Sequence, residues 1–321
     1  MLGQAIRGEG GRKKVRVALL CLSVAFAIGC GTSMRPIEIV PAGTLLPVDD
    51  PRAEKVLRDY QVQVESRKAL RGSARVALAG EGFALNRPQR IAVERPARLR
   101  FEILALFDQI AAILVTDGER FDFYDASTGE IQRGRVRSTL LWDLAKIDLA
   151  PEEVVGLLLG APMPEPGTHR AGVWLEPEGR LALAFAWPTQ SLEIACASDD
   201  PWGVFFVPTC SLPEQTVLDM GGQLFFFDQD GKLVELRVLD PGGEIRYRAH
   251  FEQYEALPAA ATAGEGQAEG QSGVVFPKRI LLESPMVQSS ARFEWKRVML
   301  ADDLSDRLFQ LPEPRRARQG G

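Results

Sequence analysis

The clearest pattern in the chain is an alternation of apolar and polar residues between about Arg90 and Arg137. Leu99, Phe101 and Ile103 alternate with charged residues, and this period of two places the apolar side chains on one face of a β-strand. Two further segments of this kind follow. Asp-Gly and Thr-Gly pairs separate them, which is typical of tight hairpin turns. The stretch therefore predicts antiparallel strands joined by short turns.

Turn residues punctuate the second half of the chain in the same way. Gly-Gly, Asp-Gly or Glu-Gly pairs occur at 178–179, 221–222, 230–231 and 242–243, between further alternating segments. Within 181–187, large apolar residues alternate with alanine, so both faces of that strand should be shielded from water. We therefore predict one antiparallel sheet with a single large apolar face.

Three segments have a helical pattern instead. Asp50 followed by Pro51 is typical of a helix start, and that helix is expected to run to about Leu70 and to stop before Gly72. Two short helices are expected within 140–160, the second with acidic residues in its first turn. Because these two helices are strongly apolar, we predict that they cover the open face of the sheet. The predicted fold class is α+β, mainly β.

The N-terminus has the pattern of an export signal. A basic segment precedes an apolar stretch, 17–28, that is too short to span a bilayer as a helix. The stretch ends in Ala27-Ile28-Gly29-Cys30, which resembles the bacterial lipobox, whose cysteine is acylated and becomes the mature N-terminus. We therefore predict a lipoprotein signal peptide over 1–29 and a lipid anchor at Cys30. An ordinary signal peptide with a chance cysteine is the alternative.

The residues after Cys30 indicate which membrane holds the anchor and where the folded domain begins and ends. Cys30 is followed by glycine, where a signal for retention in the inner membrane typically has aspartate, so we expect the outer membrane, with the domain facing the periplasm. Composition predicts a flexible tether over 30–48, a flexible surface loop over 258–273 and a disordered tail over 312–321. The folded domain is expected over 49–311.

Charge excludes one class of partner. The formal net charge is −5, and removal of the basic export signal makes the mature chain more acidic still. An acidic domain does not bind nucleic acid through counterion release, so nucleic acid is excluded as a partner. The remaining composition, 45% hydrophobic and 25% charged, is that of an ordinary globular protein, and we expect a monomer.

Two cysteines lie in the exported part of the chain. Because the periplasm is oxidising, a disulfide between Cys196 and Cys210 is predicted, with two reduced thiols as the alternative. The segment between them is apolar and contains Trp202. We favour a strand that faces inward, and the other interpretation is an apolar loop exposed for contact.

The sequence shows no recognisable catalytic or metal-binding motif. It contains two histidines, and it lacks the nucleophile-elbow, zinc-protease and phosphate-loop motifs. Its Cys and His spacing does not suggest a metal site. We therefore predict a protein that is not an enzyme and that has no metal and no cofactor.

The order of the elements resembles the LolA/LolB superfamily of bacterial lipoprotein-localisation proteins. The resemblance covers most of 51–311 and rests on the leading helix, Pro96-Ala97-Arg98-Leu99-Arg100-Phe101, the Asp117-Gly118 turn with Phe121 and Tyr124 after it, Leu157-Leu158-Leu159-Gly160, the Asp230-Gly231 hairpin, Tyr254 and Leu308-Phe309-Gln310-Leu311-Pro312. It implies a curved antiparallel sheet that forms an incomplete barrel, helices over its open face, and a hydrophobic cavity that accommodates acyl chains. Lipidated members of the family act as outer-membrane acceptors in lipoprotein insertion. The chain departs from the family pattern at 196–210 and 258–273.

Two functions follow from these observations. In the first, the concave face of the sheet binds acyl chains of lipids or lipoproteins, and the expected cavity residues are Leu99, Phe101, Ile103, Phe121, Phe123, Leu183 and Phe185. The same residues could instead form a filled core. In the second, the chain is a membrane-anchored interaction or assembly protein of the envelope, which uses the fold as a scaffold and makes its contacts through 196–210.

Overall fold

The computed structural model describes residues 41–145, 147–187, 221–258 and 273–311. The strands in these ranges are β1 Thr44–Leu46, β2 Ala69–Gly80, β3 Phe83–Glu94, β4 Arg98–Leu104, β5 Ile110–Thr116, β6 Arg120–Asp125, β7 Glu130–Arg135, β8 His169–Leu175, β9 Leu181–Ala186, β10 Gly222–Phe227, β11 Leu233–Leu239, β12 Ile245–Leu257, β13 Val274–Ser284 and β14 Ser289–Ala301. The α-helices are α1 Pro51–Glu65, α2 Leu140–Ala145 and α3 Pro151–Leu158.

The described strands form one antiparallel sheet in the order β1-β8-β9-β10-β11-β12-β13-β14-β2-β3-β4-β5-β6-β7. Strands β2 to β7 make one meander, and β8 to β14 make a second. The two are joined where β14 returns to pair with β2. Strands β1 and β7 are the two edge strands of this order and do not pair with each other. The described sheet is therefore not closed into a barrel. The predicted fold class, α+β and mainly β with an antiparallel sheet, is confirmed.

The helices pack against one face of the sheet, which we call the inner face. Tyr60 and Val64 of α1 and Val155 and Leu158 of α3 are buried in the same core as apolar side chains from β2 to β5 and β8 to β14. The apolar side of each helix and the apolar face of the sheet shield each other from water. The prediction that helices cover the open face is therefore confirmed.

The start of α1 follows the predicted chemistry. Asp50 is the N-cap, and its Oδ1 accepts a hydrogen bond from the backbone N–H of Arg52 at 2.9 Å. Pro51 occupies the first helical position, where its missing N–H has no partner to lose. The helix therefore begins where the sequence predicted.

The end of α1 differs from the prediction. The helix ends at Glu65 rather than near Leu70, and Gly72 lies within β2. A Cβ atom on Gly72 would lie 2.1 Å from the carbonyl oxygen of Arg297 in the neighbouring strand, so glycine is required for the close approach of two backbones. Strand pairing of β2 with β3 and β14 outweighs the local helical propensity here.

The hairpin between β5 and β6 has the predicted turn. Asp117 accepts hydrogen bonds at Oδ1 from the backbone N–H groups of Glu119, at 2.9 Å, and Arg120, at 2.7 Å. Gly118 has a φ of +98°, a conformation that costs glycine little. The prediction that both faces of 181–187 are shielded is confirmed for the six residues of β9, which are all buried, but Trp187 lies after the strand and is 44% exposed.

One strand lies inside the span predicted as a tether. Within 30–48, Thr44–Leu46 form β1 and pair with Val173–Leu175 of β8. Leu45 is paired with the fully buried Trp174. This segment therefore forms an edge strand by pairing with β8, although its composition gave no strand pattern.

Several predictions concern residues outside the described ranges and stay predictions. They are the signal peptide 1–29 with Ala27, Ile28 and Gly29, the anchor Cys30, the pair Cys196 and Cys210 with the segment between them, all but the ends of the loop 258–273, and the tail 312–321. None of the helices in the described part of the chain has the length and apolarity needed to cross a bilayer.

Candidate functional site

An apolar cavity of about 150 Å³ lies between the inner face of the sheet and the segment that carries α2 and α3. We call it the apolar cavity. Its lining residues come from five neighbouring strands of the first meander, from β13 and β14, and from 141–158. They are Val76, Leu78, Gln89, Phe101, Ile103, Leu114, Phe123, Leu141, Ile147, Leu149, Val154, Leu157, Leu158, Ile280, Leu282, Ala291 and Phe293.

Strand register brings the wall of the cavity together. Phe101 of β4 is directly opposite Leu114 of β5, and Leu114 is directly opposite Phe123 of β6. Ile103 lies two residues further along β4 on the same face, since side chains alternate along a strand. A row of side chains that are each apolar and in register makes a continuous hydrocarbon surface.

Helix α3 supplies the cover. Val154, Leu157 and Leu158 are spaced three and four residues apart, so they lie on one helix face, and all three line the cavity. Leu141 of α2 adds to the same cover. The apolar helix pattern in the sequence therefore corresponds to the roof of the cavity.

The structure brings three of the seven expected cavity residues to the cavity wall. These are Phe101, Ile103 and Phe123. Phe121 is half-buried instead, with its ring over Gly134 of β7, and Leu99 is fully buried in the core. Leu99 and Phe121 do not line the cavity because the cavity occupies only the part of the inner face that 141–158 covers.

The other half of the inner face is filled, and this corrects the expectation for Leu183 and Phe185. Both are buried among aromatic side chains rather than along the cavity. The ring centroids of Phe185 and Phe225 are 5.3 Å apart, and those of Tyr60 and Phe227 are 5.2 Å apart, with edge-to-face geometry. The Tyr60 ring from α1 occupies this half of the face. The inner face is thus packed core on one side and cavity on the other.

Buried polar groups hold the end of α3. Arg67 donates from Nη1 to the carbonyl oxygen of Gly160 at 2.6 Å, from Nη2 to Gln63 Oε1 at 3.1 Å, and also from Nη2 to the carbonyl oxygen of Val275. Tyr60 Oη donates to the carbonyl oxygen of Pro162 at 2.6 Å. These bonds fix the carbonyls after α3 to α1 and β13.

The guanidinium of Arg67 is fully buried, and burial lowers its pKa from the ordinary value. At the other end of α3, Glu153 accepts a hydrogen bond from the backbone N–H of Ala150 at 2.8 Å and pairs with Arg246. Burial raises the pKa of the Glu153 carboxyl despite the opposing effect of Arg246. Both ends of the cover are therefore held by polar side chains, which are fully buried at Arg67 and partly buried at Glu153 and Arg246. The sequence pattern placed Arg67 in the last turn of α1 and gave no signal for this role.

One loop exposes two large apolar side chains. Leu106 and Phe107, between β4 and β5, are 70% and 93% exposed. Phe107 and Asp108 have φ values of 59° and 56°, which residues other than glycine rarely adopt. The loop follows the cavity residue Ile103 by three positions, so this exposed pair lies close along the chain to the cavity wall.

The arrangement offers apolar contact rather than reactive groups. Within the described ranges, no group of three or more His, Cys, Asp or Glu side chains is placed to hold a metal ion. The cavity lining contains a single polar side chain, Gln89, which the sequence analysis did not select. Gln89 lies on the same strand face as Ile91 and Val93, and this spacing is the sequence signal that could have indicated a cavity position. The face could be identified as the inner one only once the register was known.

No family model matches the chain, and no curated protein matches it. Among solved structures, the chain is similar to a LolA superfamily protein from Nitrosomonas europaea, with a TM-score of 0.42 and 11% identity, over 79% of this chain and 97% of that chain. It is similar to a candidate outer membrane lipoprotein-sorting domain from Vibrio parahaemolyticus, with a TM-score of 0.42 and 9% identity, over 79% of this chain and 94% of that chain. A DUF1329 family protein from Desulfovibrio piger gives a TM-score of 0.41 and 11% identity, over 79% and 97%.

The first of these structures is described as a LolA superfamily protein, and the order of elements in this sequence resembles the LolA/LolB superfamily.

Proposed function

We propose that this chain is a non-catalytic protein of the bacterial envelope that accommodates acyl chains of lipids or lipoproteins in the apolar cavity. The cavity is the observation that carries the proposal, because sixteen of its seventeen lining residues are apolar. Hydrocarbon gains from burial in such a lining, at about 25 cal/mol per Å² of apolar surface removed from water, and needs no polar partner. A packed core would leave no such space.

The size of the cavity sets how it would work. An engineered apolar cavity of roughly 150 Å³ holds a benzene-sized ligand, and this cavity has a similar volume of about 150 Å³. It therefore takes a short stretch of hydrocarbon as it stands. A long acyl chain requires α3 to move away from the sheet, which makes the bonds at Gly160 and Glu153 the contacts that open.

Membrane attachment completes the proposal. Acylation of Cys30 would hold the domain at the outer membrane, facing the periplasm, since each buried CH₂ contributes about 0.8 kcal/mol. The exposed pair Leu106 and Phe107 suits contact with a bilayer, because an exposed apolar side chain gains by entering the interfacial region. A cavity beside such a loop fits transfer or insertion of acylated clients.

Lipid carried through purification tests the cavity. The Cys30→Ala protein, made as the full chain, is purified without detergent, and the lipids released by organic solvent are identified by mass spectrometry. We expect acyl lipids at a reproducible ratio to protein. Repeated absence of lipid, together with no uptake of added lipid, would overturn the proposal.

A matched pair of variants separates cavity binding from surface binding. Ile103→Trp places a large ring in the cavity, whereas Ile131→Trp makes the same change on the exposed strand β7. The first variant should lose the co-purified lipid, and the second should keep it. Fractionation of cells tests the anchor separately, because Cys30→Ala should release the protein from the membrane.

The alternative function, an interaction or assembly protein that uses 196–210, concerns residues outside the described ranges. It predicts that Trp202→Ala abolishes capture of a partner while acyl-chain uptake remains. The cavity favours the carrier function, and we keep the scaffold function as a prediction.

A further inference from the structure

Gln89 is a buried polar residue in an otherwise apolar site. It lies in β3, directly opposite Ala74 of β2 and Ile103 of β4, and its side chain shares the inner face with them. It is 3% exposed and lines the cavity. Its amide group makes no hydrogen bond to the described residues, and its amide atoms are not among their fully buried unpaired atoms, so the group faces the cavity space.

Such a residue is unfavourable for folding alone. Buried side-chain amides in native proteins are nearly always hydrogen-bonded, and an amide that faces apolar side chains has exchanged most of its water for neighbours that cannot hydrogen-bond. Leucine or methionine would fill the same position and match the sixteen apolar residues of the lining. An unpaired amide that faces an apolar cavity is therefore suited to a ligand that carries its own hydrogen-bonding group.

The chemistry of the amide narrows the class of ligand. Gln89 presents two N–H donors and one carbonyl acceptor, all uncharged. A neutral carbonyl group accepts from the N–H donors. A carboxylate would need a cation, and the described cavity lining contains no Lys, Arg or His.

We propose that Gln89 recognises the carbonyl group by which an acyl chain is linked, so that the cavity selects ester- or amide-linked acyl chains over plain hydrocarbon and over free fatty acids. This inference rests on the proposed function, since it names the part of the acyl ligand that reaches the cavity.

Small volatile ligands test the inference in the full-length Cys30→Ala protein and in the same protein carrying Gln89→Leu. Octane and methyl heptanoate have eight carbons each and differ by the ester group. Headspace gas chromatography over sealed protein solutions gives the free concentration of each, and hence its dissociation constant. Calorimetry with octanoate and with N-methylheptanamide adds the anionic and the amide ligands.

We expect Gln89→Leu to weaken methyl heptanoate relative to octane by roughly threefold to tenfold, which is the net effect of one neutral hydrogen bond. N-methylheptanamide should lose at least as much, and octanoate should bind more weakly than the ester in the protein with Gln89. If Gln89→Leu leaves the ester-to-octane ratio unchanged while both ligands bind, the inference is overturned and the carrier function stands. If neither octane nor methyl heptanoate binds either protein, both fail.

Stability provides a second readout. Because the amide of Gln89 lacks a partner among the described residues, Gln89→Leu and the unbranched Gln89→Met should both raise the melting temperature of the ligand-free protein. Gln310→Leu makes the same change on an exposed side chain and should alter neither the melting temperature nor the ligand ratio. A lower melting temperature in both Gln89 variants would show a structural role for the amide and would overturn the inference.

Discussion

The guanidinium of Arg67 donates a hydrogen bond from Nη1 to the carbonyl oxygen of Gly160 at 2.6 Å. This bond joins the segment after α1 to the segment after α3, and Arg67 is fully buried between them. The described acceptors of this buried guanidinium are two backbone carbonyls and one amide oxygen. Arg67 therefore fixes the position of one segment against another, and the burial of its charge offsets much of the stability that the hydrogen bonds contribute.

Removal of the Arg67 hydrogen bonds should destabilise the packing of α3 over the cavity. Arg67→Met leaves two buried carbonyl oxygens without donors, which costs about 1–3 kcal/mol each. Part of this cost is offset because the variant no longer buries a charge. We expect a net loss of about 2 kcal/mol in the free energy of unfolding and faster hydrogen exchange over 155–161. The control is Arg75→Met, on an exposed arginine of β2. Unchanged exchange over 155–161 in Arg67→Met would contradict the assignment.

The two halves of the inner face should respond differently to the same substitution. Phe185 packs in the filled half, so Phe185→Ala leaves a new void and should cost about 3–5 kcal/mol. Phe101 borders existing space and is only half-buried, so Phe101→Ala should cost clearly less. Chemical denaturation of both variants measures the difference. Equal losses would indicate that the cavity wall is packed as tightly as the core.

The exposed loop should govern contact with membranes. Replacing Leu106 and Phe107 together by serine removes the two most exposed apolar side chains of the described part of the chain. We expect weaker sedimentation of the Cys30→Ala protein with phospholipid vesicles, and no change in melting temperature. Met286→Ser alters another exposed apolar residue, 52% accessible, and should leave sedimentation as it was. Equal sedimentation of all three proteins would argue against a membrane role for the loop.

His250 should make stability depend on pH. Burial lowers the pKa of His250 below its ordinary value of 6.5, with Glu235 opposing this. A histidine whose folded-state pKa is depressed contributes stability that is present above pH 6.5 and is lost as the pH falls through the folded-state pKa. The free energy of unfolding should therefore decrease below pH 6.5, and less so in His250→Gln. His169→Gln, at the other histidine, is the control. Parallel pH profiles for His250→Gln and the unaltered chain would contradict this.

The sequence predicted the sheet because alternation and turn residues are local signals. Phe101 and Ile103 could be assigned to one face of β4, and Phe123 to the apolar face of β6, from their period alone. The Asp117-Gly118 turn and the Asp50 cap could be predicted for the same reason, since each depends on neighbours within a few positions.

The division of the inner face could not be predicted in this way. It depends on where α1 docks, and Tyr60 meets Phe227 across more than 160 positions of the chain. Gly72 was mistaken for a helix stop because the group that requires glycine there, the carbonyl oxygen of Arg297 in β14, lies more than 220 positions away in the chain. Arg67 and Gln89 were missed for a related reason, since a polar residue in the sequence does not show that it is buried.

Photo-crosslinking tests the central claim most directly. A long-chain fatty-acid methyl ester with a terminal diazirine is added to the full-length Cys30→Ala protein, irradiated, and the modified residues are located by mass spectrometry. We predict adducts at cavity residues such as Phe101, Ile103 and Leu157, removed by an excess of unlabelled ester. Adducts confined to residues outside the cavity, or unaffected by the unlabelled ester, would contradict the account.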